Sequence, residues 1–151
     1  MIIFIDHSES SSGGQVSLKN NLLNYKCNFK EIDIKIILNK NNSELIKFLK
    51  KHNFDYITYD FSEFFLVKFL KFFIYIKKQK KFKKKIILYG NTFEGGVWSG
   101  MVGSLLFIPS IFRVRLSPKI FNHGFVDWLI FSLNDQILCN SKFIKNECNL
   151  R

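Results

Sequence analysis

The first fourteen residues limit what this chain can become more than any later stretch. An apolar run of strand length, Ile2, Ile3, Phe4 and Ile5, gives way to a polar segment that closes on Gly13 and Gly14. Gln15 then opens a segment with helical periodicity. A strand, a glycine-bearing loop and a helix start form the half-turn on which α/β proteins hold anionic groups. Loop amides and the positive end of the helix dipole converge there, and glycine lets a ligand approach the backbone. Ser12, Gly13, Gly14 and Gln15 are therefore the expected phosphate side of a site; a turn requiring positive φ is the alternative for the glycine pair. The pair is not the G-x-G-x-x-G fingerprint of dinucleotide folds.

Periodicity extends this start into a repeating pattern. Leu18, Leu22 and Tyr25 recur at helical spacing over 15–25. Residues 31–37 alternate, with Ile32, Ile34 and Ile36 on one face and Glu31, Asp33 and Lys35 on the other, which predicts a strand with one wetter face. A polar turn over 39–42 precedes a helix begun by Ser43 and Glu44 and ended by His52. Residues 56–59 read as a short strand, and Ser62 as the cap of a helix from 63 to about 79. A buried strand at 85–89 leads into a polar loop over 90–96 and an apolar helix over 97–107. Strand 111–116 carries Arg113 and Arg115 on one face. Residues 125–133 read as a helix, 136–139 as a last strand, and Ser141 opens a last helix. Strands alternating with helices predict one α/β domain over 1–151, Rossmann-like, with a mostly parallel sheet and helices on both faces. Ligands in such sheets sit beyond the carboxyl ends of the strands, where chain direction reverses.

Charge narrows the partners. The 151 residues hold 23 Lys plus Arg against 12 acids, a net charge of +11, which favours anionic partners. Biased base composition in the gene is the competing source of the lysine excess. Cys27, Cys139 and Cys148 form no C-x-x-C pair and no set with zinc spacing, so a reducing, cytoplasmic setting without a protein-bound metal is expected. Residues 2–5 are too short for a secretory h-region. The apolar stretch 64–76 is interrupted by Lys68 and Lys71 and falls short of the roughly 20 residues of a spanning helix.

Several side chains have suitable chemistry at the expected rim. His7 follows strand one, and His123 lies in a loop on the same edge; either can stabilise a leaving phosphate or steer an acceptor hydroxyl, or simply anchor its loop. Glu94 is the candidate base or sugar-hydroxyl contact. Asn91, His7, Arg113 and Arg115 are candidate acceptor contacts, the arginines through bidentate grip of an anion. No G-x-S-x-G elbow or Cys/His pair supports hydrolytic catalysis. Lys68, Lys71, Tyr75 and Lys78 form a narrow polar stripe on an otherwise apolar helix. Seven of the nine residues 77–85 are lysine. Lys77, Lys78, Lys80, Lys81, Lys83 and Lys84 suit an anionic membrane surface, or else a solvated charge run ending a core helix.

In order, the Gly13–Gly14 loop with its neighbours Ser12 and Gln15, the polar loop 90–96, and the phrase from Asp135 to Ser141 resemble the N-terminal lobe of a GT-B glycosyltransferase, most like family 4. The resemblance implies that the glycine loop lies against the diphosphate of a nucleotide-sugar donor, with the rest of the lobe forming the acceptor side. It implies no cofactor on this lobe, the nucleotide sugar being substrate. The donor nucleotide is held mainly by a second lobe bearing spaced acids, expected on further polypeptide or a separate subunit. The implied activity is sugar transfer to a hydroxyl on a cell-surface glycan or lipid-linked saccharide, with no nucleic acid involved; the lysine segment adds the expectation of a peripheral place on the inner membrane face. A basic nucleic-acid-binding α/β domain and a flavodoxin- or receiver-like signalling module are the alternatives.

Overall fold

The computed structural model describes residues 1–10, 13–61, 64–83, 85–115 and 131–149. The elements run β1 (Ile2–Asp6), α1 (Gly13–Asn28), β2 (Ile34–Asn39), α2 (Ser43–Lys51), β3 (Asp55–Tyr59), α3 (Phe65–Phe82), β4 (Ile87–Gly90), α4 (Phe93–Leu106), β5 (Ser110–Val114), β6 (Gln136–Cys139) and α5 (Lys142–Asn149). All described strand pairings are parallel, in the order β3-β2-β1-β4-β5-β6. The chain winds outward from β1 to β3, crosses back through α3, and winds the other way from β4. The direction therefore reverses between β1 and β4, the switch point at which open α/β sheets bind ligands. This order differs from the 2-1-3-4-5 order of flavodoxin and receiver folds, which removes the signalling-module alternative.

Strands buried on both faces need continuous apolar runs. Ile3, Phe4 and Ile5 of β1 and Ile36, Ile37 and Leu38 of β2 have no exposed surface. Phe4 packs on one side with Leu18 and Leu22 of α1 and Leu45 and Leu49 of α2. Ile3 and Ile5 pack on the other with Phe72 and Ile76 of α3 and Trp98 and Val102 of α4. A third cluster joins Phe112, Val114 and Ile144 at the β5–β6 end.

The expected strand–helix order holds, with boundary corrections. β2 starts at Ile34, not 31, and its last four residues are buried on both faces because β1 and β3 flank it and helices cover it; Ile32 lies before the strand, in solvent. α1 begins at Gly13 and α4 at Phe93, so both glycine pairs are first-turn helix residues and not loop. The cap of α2 is Asn42, whose side chain accepts from the Leu45 amide. α3 continues through the lysine run to Phe82. The polar stripe on α3 does not form: Lys68 turns inward to Glu94 and the Phe61 carbonyl, and Tyr75 is half-buried near Lys35. Ser12, Ser62, Lys84, His123 and most of the expected 125–133 helix lie outside the described residues; 131–133 are helical. Among the described residues, no helix is long and apolar enough to cross a membrane.

Candidate functional site

At the switch point, β1 ends in Asp6 and β4 in Gly90, in neighbouring register. Asp6 is fully buried. Its carboxylate accepts from the Ser8 amide at 2.9 Å and from the Asn91 side-chain amide at 2.6 Å. The Asn91 Oδ1 in turn accepts from the Arg115 guanidinium, whose other amino group donates to the Gly14 carbonyl. A buried chain of polar contacts thus ties β1, β4 and the end of β5 to the first turn of α1. The loop after β1 is fastened from the other side, since Asn39 donates to the His7 carbonyl at 2.9 Å and Asn42 to that of Ser8 at 2.8 Å.

These contacts frame a cleft of about 540 Å³ lined by His7, Gly13, Gly14, Ser17, Arg113 and Arg115, among others. Three features suit it to an anion. The N-terminal amides of α1 open onto it with the positive helix end. The Arg113 and Arg115 guanidiniums line it; among the described residues the buried Arg115 Nε has no hydrogen-bond partner, and buried donors in native proteins are normally satisfied. Burial, reinforced by the nearby Arg113, pulls the Arg115 guanidinium below its ordinary value, with Tyr89 and Asp6 pulling the other way. It remains charged, so an anion beside it relieves that desolvation. Gly13 completes the picture: it lies on helical backbone outside the left-handed region, and a Cβ built on it meets no atom of the described residues within 4 Å. The protein itself needs no glycine there, which removes the turn alternative at Gly13 and leaves room for a ligand.

His7 also borders a second, smaller cleft of about 280 Å³ shared with Ser8, Asn39, Phe61 and Glu94. Its Nδ1 lies 2.7 Å from the Thr92 hydroxyl oxygen, and its Nε2 lies 3.6 Å from Glu94. Thr92 caps α4 by accepting from the Gly95 amide. Glu94 is held by Lys68 at 3.3 Å and by the Trp98 indole N–H at 3.4 Å. His7 therefore stands between an anion-attracting cleft and one walled by an oriented carboxylate.

The sequence-predicted residues fare differently. His7, Gly13, Gly14, Arg113 and Arg115 come together around the larger cleft, with Asn91 on its wall. Asn91 is 1% exposed and both ends of its amide are engaged, so it positions Arg115 and offers no free group to an acceptor. The side chain of Gln15 is buried with Leu18 and Leu22 on α1, and Gln15 does not line the cleft. Glu94 is an ion-pair partner on the smaller cleft. Asp6, Thr92 and Lys68 were not expected as site residues. For Asp6 a signal existed: β1 and β4 adjoin in any doubly wound sheet of this order, which brings Asp6 beside Asn91.

The strand order and parallel pairing give a Rossmann-like fold that matches a lobe of GT-B structures. No protein-family model matches the chain, and no curated protein matches it in sequence. Among solved structures it is similar to HepE of Anabaena in complex with UDP, with a TM-score of 0.75 at 13% identity over 99% of this chain and 40% of that one. It is also similar to a putative UDP-N-acetylglucosamine 2-epimerase from Listeria monocytogenes, with a TM-score of 0.67 at 9% identity over 99% of this chain and 42% of that one. MurG of Acinetobacter baumannii aligns with a TM-score of 0.63 at 14% identity over 91% of this chain and 40% of that one. The chain thus spans about two-fifths of the length of these structures, the proportion of a single lobe.

Proposed function

We propose that this chain is the acceptor-side lobe of a glycosyltransferase that moves a sugar from a nucleotide-sugar donor to a hydroxyl of a glycan or lipid-linked saccharide, and that a second lobe holds most of the donor nucleotide. The reading rests on one observation above all: the Arg113 and Arg115 guanidiniums and the first turn of α1 line one cleft at the switch point. HepE, which shares the fold, was solved with UDP, with UDP and glucose, and with UDP-glucose.

In this reading the donor diphosphate lies in the larger cleft against the α1 amides, Arg115 and Arg113. The acceptor enters from the smaller cleft. With Nδ1–H donated to Thr92, the Nε2 lone pair of His7 is left to take the acceptor proton, and Glu94 stabilises the imidazolium so formed. The acceptor oxygen bonds to the anomeric carbon as the bond from that carbon to the diphosphate oxygen breaks. The electron pair leaves with the diphosphate, whose charge the guanidiniums and helix end neutralise. No cofactor enters these steps.

Titrating UDP-glucose into ¹⁵N-labelled chain tests the reading. Amide shifts are expected at Gly13, Gly14, Ser17 and Arg115, with inorganic diphosphate reproducing most of them and Arg115→Gln removing them. Shifts that map instead to the lysine segment, or none at saturating ligand, would overturn it.

A further inference from the structure

α3 presents two unlike faces. Phe72 and Ile76 are buried against the sheet, with Phe69, Phe73 and Tyr75 packed beside them. On the opposite side, Phe64, Leu66, Val67, Leu70 and Ile74 are 71, 58, 46, 57 and 50% exposed. At 3.6 residues per turn Leu66, Val67, Leu70 and Ile74 project into one arc, with Phe64 just before the helix; Lys71 borders the arc, and Lys77, Lys78 and Lys81 continue it toward the end of the helix, all exposed. A surface helix ordinarily carries polar residues on its solvent side. Here the buried and exposed arcs are both apolar, and the charge collects at one end. Two more aromatics stand in solvent near that end: Phe82, 81% exposed, and Phe107, 91% exposed on left-handed backbone just past α4. Lys80 donates to the Leu106 carbonyl, which places Phe107 beside the end of α3.

The geometry points to the outer face of α3 as a docking surface for an anionic lipid bilayer, the helix lying in the interface with Leu66, Val67, Leu70 and Ile74 in the acyl boundary and Lys77, Lys78 and Lys81 on lipid phosphates. Charge complementarity decides among the occupants. A second copy carries the same net charge of +11 and the same lysine cluster, so it leaves the lysines without a complementary negative surface. Single-stranded nucleic acid stacks on aromatic platforms, and the centre of this face is aliphatic. A bilayer satisfies both halves, because apolar side chains sink while long lysine stems let their ammonium groups reach the headgroups. The docking stands without the sugar-transfer reading. Its one link to that reading is position: α3 starts on the same rim as the clefts, where Lys68 meets Glu94, so docking sets the clefts beside the lipid surface and favours a lipid-borne acceptor.

Co-sedimentation of the full chain with phosphatidylcholine vesicles, with and without phosphatidylglycerol, tests this. Binding is expected only where phosphatidylglycerol is present, and weakened by salt. Leu70→Glu with Ile74→Glu abolishes it. Lys77→Gln with Lys78→Gln and Lys81→Gln lowers the partition coefficient about a hundredfold, at about fivefold per lysine. Lys47→Gln with Lys50→Gln, on α2 across the sheet, leaves it unchanged. A fluorophore on Ile74→Cys shifts to the blue on adding anionic vesicles, a readout that needs no destabilising change. Equal binding to both vesicle types, an unaffected Leu70→Glu/Ile74→Glu variant, or a vesicle-independent dimer dissolved by that variant each overturns the proposal. None of these outcomes alters the UDP-glucose shifts at the rim, so the two readings fail separately.

Discussion

Gly13 separates a ligand-facing position from a structural one. Alanine is a better helix residue than glycine by up to about 1 kcal/mol, and at Gly13 its methyl group meets no atom of the described residues within 4 Å. Gly13→Ala is therefore expected to leave the melting temperature unchanged or raised, while weakening the rim response to UDP-glucose because the methyl occupies the cleft. Thermal melts paired with the ¹⁵N titration check this; a lowered melting temperature with intact binding would make Gly13 structural. At this scale, the sequence brought together residues whose chemistry is tied to strand ends: His7 after β1, the arginines on β5, the glycines opening α1. What stayed hidden were pairings between distant positions. His7 and Glu94 meet only because β1 and β4 adjoin, and Arg115 reaches Gly14 across 101 positions. The Gln15 side chain was hidden for a simpler reason: it follows Leu18 and Leu22 onto the buried face, where one polar residue gives no periodic signal.

Helix starts were the elements least legible beforehand, and α4 shows why. Gly95 and Gly96 read as loop because glycine is a poor helix former. They serve close approach instead: a Cβ on Gly95 falls 2.5 Å from the Ile5 carbonyl, so α4 seats its first turn directly on β1. Thr92, the true start, carries the cap. Gly95→Ala should thus destabilise by about 1–3 kcal/mol despite the gain in helix propensity, opposite in sign to Gly13→Ala and measurable in the same melts. The contact of β2 with α3 carries a second prediction. Lys35 pairs with Asp55 at 2.8 Å and lies over the Tyr75 ring. The hydrogen bond that Lys35 donates to Asp55 raises Lys35 above its ordinary 10.5, and burial raises the Tyr75 phenol above 10.0. Both groups hold their protons more tightly folded than unfolded. Their contribution is whole below those ordinary values and lost as pH rises through the folded ones, so stability declines above about pH 10. Melts over that range should show a shallower decline in Lys35→Gln with Tyr75→Phe; an unchanged slope would place the alkaline loss elsewhere.

The whole molecule carries a net charge of +11, and an excess of that size attracts any polyanion, so association with DNA alone does not distinguish a nucleic-acid-binding domain from a sugar-transfer lobe. Salt does. Six described lysines crowd the end of α3 and the stretch after it, Lys77, Lys78, Lys80, Lys81, Lys83 and Lys85. If all six meet phosphates, log K falls with log salt at a slope of about −5, and affinity drops about a thousandfold between 50 and 200 mM. The rim cleft behaves otherwise, because its guanidiniums are partly buried and less screened. Duplex DNA should therefore bind weakly, with a steep salt slope that Lys77→Gln, Lys78→Gln and Lys81→Gln flatten and Gly13→Ala leaves alone. The UDP-glucose shifts at Gly13 and Arg115 should persist at 200 mM salt, with the opposite dependence on the two variants. Fluorescence anisotropy across a salt series beside the ¹⁵N titration reads both. The same two regions were visible in the chain as a lysine run and a glycine pair, but only the folded sheet shows that they lie on different surfaces and can be uncoupled by substitution. A shallow slope, with DNA rather than UDP-glucose shifting Gly13 and Arg115, would hand the rim to nucleic acid and end the sugar-transfer reading.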